Sequence, residues 1–127
     1  MAVTGMANLA VKVADLDAAC AWYEAVGAVV TAPTEWENGR RSDVQLGTLA
    51  LTLFTKAIYE DATTLPAEGF LHPALFVDDL DAELSHHTVL WGPRTVTGAF
   101  GTRRIAFVEA PGNIRLEFME QVGDPTG

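Results

Sequence analysis

Two stretches, residues 8–13 and 72–77, alternate in side-chain character as strands do, and each runs into an aspartate, Asp15 or Asp79. A short carboxylate at that point suits an N-cap, because it accepts from N–H groups that a first helical turn leaves exposed. Beyond Asp15, the residues Leu16, Ala19, Cys20, Tyr23 and Val26 recur at helical spacing, and Gly27 sits where a C′ glycine ends a helix. Beyond Asp79, Leu80, Leu84, His87 and Leu90 take the corresponding places. Strand-like stretches follow at about 28–33, 40–46 and 48–55, and again at 94–99, 103–109 and 113–120. Each half predicts the order β-α-β-β-β.

The halves also match residue by residue. With Asn8–Ala18 laid over His72–Ala82, Ala10, Val13, Asp15, Leu16, Asp17 and Ala18 recur as Ala74, Val77, Asp79, Leu80, Asp81 and Ala82. After a one-residue slip at Gly27 and Gly92, Gly47–Leu53 falls on Gly112–Phe118. A repeat of this kind means one structural plan used twice. The expected fold class is α+β: two tandem βαβββ modules forming a curved mixed sheet around a cleft. Residues 1–127 form one domain, with module one at about 6–55, a connecting segment at 56–69 and module two at about 70–122. The connecting segment, with Pro66 and Gly69, reads as a plain linker, and its other possible role is a lid or rim.

Period two divides each strand into two faces. Leu9, Val11 and Val13 with Leu49, Leu51 and Leu53 are uniformly apolar and belong under the first helix; Pro73, Leu75 and Val77 with Ile114, Leu116 and Phe118 belong under the second. The other face carries Asn8, Ala10, Lys12, Ala50, Thr52 and Phe54 in module one. In module two it carries His72, Ala74, Phe76, Arg115, Glu117 and Met119. Apolar walls with a few directed polar groups are what a small-molecule pocket requires.

Composition narrows the field. A total of 17 acidic against 8 basic residues gives a net charge of -9, which opposes a nucleic-acid or anionic-membrane partner. The single cysteine, Cys20, excludes an internal disulfide and a thiolate zinc cluster. The first residues lack the basic and apolar regions of a secretion signal, and no apolar run nears the ~20 residues that span a bilayer, so the expected location is cytoplasmic.

The openings Val-Ala-Asp-Leu-Asp and Val-Asp-Asp-Leu-Asp, the helix end Ala-Trp-Tyr-Glu-Ala-Val-Gly and the stretch Pro111–Phe118 together resemble the vicinal oxygen chelate superfamily, the glyoxalase, bleomycin-resistance and extradiol-dioxygenase group. The resemblance runs from about Met6 to Val122 and implies a homodimer. Metal-using members hold their ion at positions that correspond here to Asn8, Thr52, His72 and Glu117. Only the last two are of the expected ligand types; Asn8 and Thr52 offer neutral oxygens and little charge compensation, so no metal or other cofactor is expected. The adjacent His86 and His87 point about 100° apart on a helix and cannot converge on one ion, His87 instead reading as a core residue.

Without a metal, the cleft suits acid–base chemistry of the isomerase, cyclase or lyase type on a small organic molecule. His72 would be the general acid or base, with Glu117 fixing its tautomer or acting as a second proton-transfer group. Lys12 and Arg115 would hold an anionic or carbonyl oxygen, Asn8 and Thr52 would supply neutral hydrogen bonds, and Phe54, Phe76 and Met119 the apolar walls. A rival function is sequestration of a cationic or aromatic antibiotic, as in the bleomycin-resistance branch, with Trp36, Glu35 and Glu37 as an aromatic and acidic rim. A third is a divalent-metal glyoxalase-type enzyme with a degenerate ligand set, its ion on His72 and Glu117.

Overall fold

The computed structural model describes residues 3–125. It is α+β: nine strands and two α-helices in the order β1 (Val3–Lys12), α1 (Leu16–Ala25), β2 (Val29–Val30), β3 (Thr34–Trp36), β4 (Gly39–Leu46), β5 (Leu49–Phe54), a 3-10 turn (Ile58–Asp61), β6 (Gly69–Val77), α2 (Leu80–Leu84), β7 (Val89–Gly98), β8 (Gly101–Ala110) and β9 (Ile114–Gly123). No helix among the described residues is long and apolar enough to cross a membrane. The described residues divide into two compact units, Asn8–Leu71 and residues 72–125 together with residues 3–7.

In the first unit β1 pairs parallel with β5, placing Leu9 opposite Leu51 and Val11 opposite Leu53, while β4 pairs antiparallel with β5, β2 and β3. Asp15 caps α1, its Oδ1 accepting from the Ala18 N–H at 3.0 Å. Gly27, at φ +99°, closes the helix in a conformation that a side chain would strain. Leu16 and Cys20 on α1 meet Val44, Leu51 and Leu53 in a core that Leu9, Val11, Val13, Tyr23 and Val30 flank. Each such aliphatic side chain contributes about 1.5–3 kcal/mol by leaving water, so one-sided alternation fixes the register of the strands beneath the helix.

The second unit repeats the scheme. β6 pairs parallel with β9, and β8 pairs antiparallel with both β9 and β7. Asp79 caps α2 through the Ala82 N–H at 3.1 Å, and Leu80 meets Val77, Ala106, Val108 and Phe118. The slip glycine Gly92 sits at φ +89° in an irregular part of β7, where a Cβ would lie 2.9 Å from the Ile105 carbonyl oxygen.

Three expectations are corrected. The strand expected at 28–33 is instead the short β2 followed by β3, because Pro33 between them has no N–H to give a ladder. The second helix stops at Leu84: the Ser85 hydroxyl donates to the Ala82 carbonyl at 2.7 Å, competing with helical bonding, and the β-branched Thr88 and Val89 lead into β7. Leu90 therefore belongs to a strand, and His87 is exposed, with Nε2 2.7 Å from Glu83 Oε2 and its ring against Phe118. The connecting segment is built structure, not a bare linker: Tyr59 and Ala57 are buried, and Glu68 accepts from the Ala14 N–H at 3.1 Å.

Candidate functional site

In the second unit, β6 and β9 send Leu75, Val77, Leu116 and Phe118 toward α2. The alternate residues His72, Ala74 and Phe76, with Arg115, Glu117 and Met119, share the opposite face, where Ala74 is registered with Glu117 and Phe76 with Met119. On that face His72 Nε2 lies 3.0 Å from Glu117 Oε1, and the two residues are only 4% and 5% exposed. The Phe107 ring stands edge-on to the imidazole at 4.8 Å between centroids, and Trp91 packs edge-on against Phe107 at 5.7 Å. A hydrogen-bonded imidazole and carboxylate are thus held among aromatic and small apolar groups, where their interaction is stronger than in water.

Farther along the face, the Arg103 guanidinium lies 5.2 Å from the Phe76 ring centroid and 4.4 Å from that of Phe100. Its Nε donates to Gln121 Oε1 at 2.7 Å, and Nη1 is 3.6 Å from Met119 Sδ. Arg115 stands opposite Glu109 in the β8–β9 ladder. The sequence reading missed Phe107, Trp91 and Arg103. The signal lay in β8, where Arg103, Ile105 and Phe107 alternate with Arg104, Ala106 and Val108, and the latter two line the helix side.

The first unit places Asn8, Lys12, Thr52 and Phe54 on the face away from α1, with Ala10 opposite Thr52 and Lys12 opposite Phe54. Asn8 Nδ2 donates to Thr52 Oγ1, and Thr52 Oγ1 donates to Asp43 Oδ1 at 3.0 Å. Arg41 Nη2 donates to the same Asp43 oxygen at 3.0 Å. The Arg41 guanidinium also lies 5.0 Å from the Trp36 ring centroid and 5.3 Å from that of Phe54. Asp43 and Arg41 were the residues missed here; they alternate along β4 with the buried Ser42 and Val44.

Lys12 is held by an acid. Its Nζ lies 2.9 Å from Glu60 Oε2, with the two side chains 11% and 13% exposed. Burial pushes the Glu60 carboxyl up, but the Lys12 hydrogen bond, the Ala57 N–H and the charges of Lys12 and Lys56 outweigh it and leave the group below its ordinary value.

In the first unit, Asn8 and Thr52 are poor donors for a divalent ion. Thr52 Oγ1 already gives its proton to Asp43 and accepts from Asn8, which leaves Asn8 to offer one neutral oxygen. His72 and Glu117 bond to each other, and among the described residues no three His, Cys, Asp or Glu side chains gather where an ion could be held.

Solved structures resemble this chain along nearly its whole length. Methylmalonyl-CoA epimerase from Mycobacterium tuberculosis superposes with a TM-score of 0.69 at 23% identity, over 94% of this chain and 89% of that one. A methylmalonyl-CoA epimerase in complex with methylmalonyl-CoA and NH4+ gives 0.71 at 22% identity, over 98% and 99% of the two chains. A variant of the Streptomyces coelicolor epimerase in complex with 2-nitronate-propionyl-CoA gives 0.70 at 22% identity, over 95% and 99%. The fold is the vicinal oxygen chelate fold. No family model and no curated protein matches the chain by sequence. On this vicinal oxygen chelate scaffold, the His72–Glu117 pair occupies the first and last strands of the second unit.

Proposed function

We propose that the chain is an isomerase-type enzyme that moves a proton at a carbon next to a carbonyl, without a metal, and that His72 and Glu117 carry the proton. The observation behind this reading is the 3.0 Å His72–Glu117 contact, almost wholly buried against Phe107. In such a site the imidazole takes the proton from the acidic C–H, the electron pair passes into the carbonyl as an enolate, and the imidazolium gives a proton back to the planar carbon, inverting the centre when the enolate has turned its other face to His72. Glu117 fixes the tautomer of His72 and balances the charge that the imidazole gains. The resemblance to methylmalonyl-CoA epimerases supports an acyl thioester as the substrate class.

Sequestration of a cation is the weaker reading, because the aromatic surface it would use at Trp36 and Phe54 already faces the Arg41 guanidinium. The test is hydrogen exchange at C2 of methylmalonyl-CoA in deuterium oxide, followed by NMR. The wild-type chain should accelerate the exchange, and His72→Gln and Glu117→Gln should each lower the rate about 100-fold or more while retaining a hydrogen-bonding group. No acceleration by the wild type, or variants as fast as the wild type, overturns the proposal.

A further inference from the structure

The helix α1 is apolar on the side where a surface helix is ordinarily polar. Leu16, Ala19, Cys20 and Tyr23 face the core of the first unit. At about 100° per residue, Ala18, Ala21, Trp22 and Ala25 gather within roughly 100° of arc on the opposite side, and all four are exposed. Trp22 is 61% exposed, and Val26 at the helix end is 49% exposed. A helix that is apolar all round is one that other structure covers. Trp22 is also held in place, because Tyr23, packed on the core, stands edge-on to it at 5.1 Å between ring centroids. A large ring fixed outward between alanines loses little freedom on contact, as a docking anchor requires.

Charge and shape name the occupant. Asp17 and Glu24, seven residues apart, lie along one edge of this face, and α1 carries no lysine or arginine. A second copy of this chain, with its net charge of -9, would bring like charges together, and so would an anionic membrane. A basic partner would be drawn in. Ala18, Ala21, Trp22 and Ala25 stand at i, i+3, i+4 and i+7, the spacing that receives the ridge of another helix, and the ten residues of α1 give a contact about 15 Å long.

We propose that the outer face of α1 is a docking surface for an amphipathic helix of a partner protein, about three turns long, whose apolar stripe meets Ala18, Ala21, Trp22 and Ala25 and whose lysines or arginines lie beside Asp17 and Glu24. The proposal rests on the first unit and is independent of the chemistry proposed for His72.

Synthetic helical peptides of about 14 residues provide the test. The first is built of leucine, alanine and lysine with its leucines on one face, the second has glutamate for every lysine, and the third has the composition of the first in an order that forms no stripe. Binding to the full chain is measured by calorimetry and located by the Trp22 indole N–H NMR signal, assigned by its loss in Trp22→Ser. The striped lysine peptide should bind about tenfold or more tightly than either of the others and shift that signal. Trp22→Ser should weaken it about tenfold or more, and Ala21→Gln, which holds the partner away at an exposed position, about fivefold. Glu24→Lys should narrow the preference for lysine over glutamate about threefold or more. Equal binding of the striped lysine peptide and either control, or binding unchanged in both Trp22→Ser and Ala21→Gln, overturns the proposal. So does self-association of the chain that Trp22→Ser abolishes, which would make a second copy the occupant.

Discussion

Replacing Lys12 by methionine removes an ammonium group that sits 2.9 Å from Glu60 Oε2, with both side chains close to nine-tenths buried. Breaking a fully buried ion pair from one side costs about 3–5 kcal/mol, because a charge is left without its partner. Glu60 retains the Ala57 N–H, bonded to Oε1 at 2.8 Å, and some contact with water, so the expected loss is about 2 kcal/mol. With a urea m-value of about 1.5 kcal/mol/M for a domain of this size, the midpoint should fall by about 1 M. The double variant Lys12→Met with Glu60→Gln should recover at least half of that loss, because the orphaned charge is gone while the amide oxygen can still accept from Ala57. The sign of the pH dependence follows from the lowered carboxyl: its stabilisation is present above the unfolded value and is lost as pH falls through the folded one. The gap between wild type and Lys12→Met should therefore be full at pH 7 and close as the solution is acidified below the ordinary glutamate value of 4.5. A midpoint shift under 0.3 M on the ~1 M scale set by the m-value, or a gap that widens in acid, would refute a structural role for Lys12 and return it to the ligand-binding residues.

Other substitutions test the surrounding structure by thermal or urea unfolding. Gly92→Ala should destabilise by about 1–3 kcal/mol, because its φ of +89° strains any side chain and the new Cβ would lie 2.9 Å from the Ile105 carbonyl oxygen; an unchanged melting temperature would contradict that geometry. Ser42→Ala should be neutral or stabilising by up to about 1 kcal/mol, because the buried hydroxyl has no partner to lose; a loss above about 1 kcal/mol would show that the group is satisfied in solution.

The sequence revealed what one-sided burial controls. Leu9, Val11 and Val13 are apolar at every second position and lie under α1, while Leu75 and Phe118 lie under α2, so the opposite faces followed by subtraction and His72 came to stand beside Glu117. The features that were missed depend on partners distant in sequence or on competition near element ends. Tyr59 is buried by a turn that its local sequence presents as a connection, and α2 ends early because of one hydroxyl, on Ser85. Glu60 and Asp43 resemble ordinary solvated acids until Lys12 and Thr52, 48 and 9 residues away, are seen to bond to them.

The same competition separates the two orphaned polar atoms of the first unit. Ser42 shares the helix side of β4 with Val44, opposite Leu53, so its buried hydroxyl faces the core and its want of a partner is a packing cost. Asn8 lies on the other face, and its carbonyl is left over by a chain of donors that ends on Arg41. Neither Thr52 nor Asp43 can reverse that polarity while Asp43 remains a carboxylate, since a carboxylate has no proton to give back. An exposed acid on β4 thus determines which hydrogen-bonding group Asn8 presents from β1, a link visible in the bonding order and in neither residue alone.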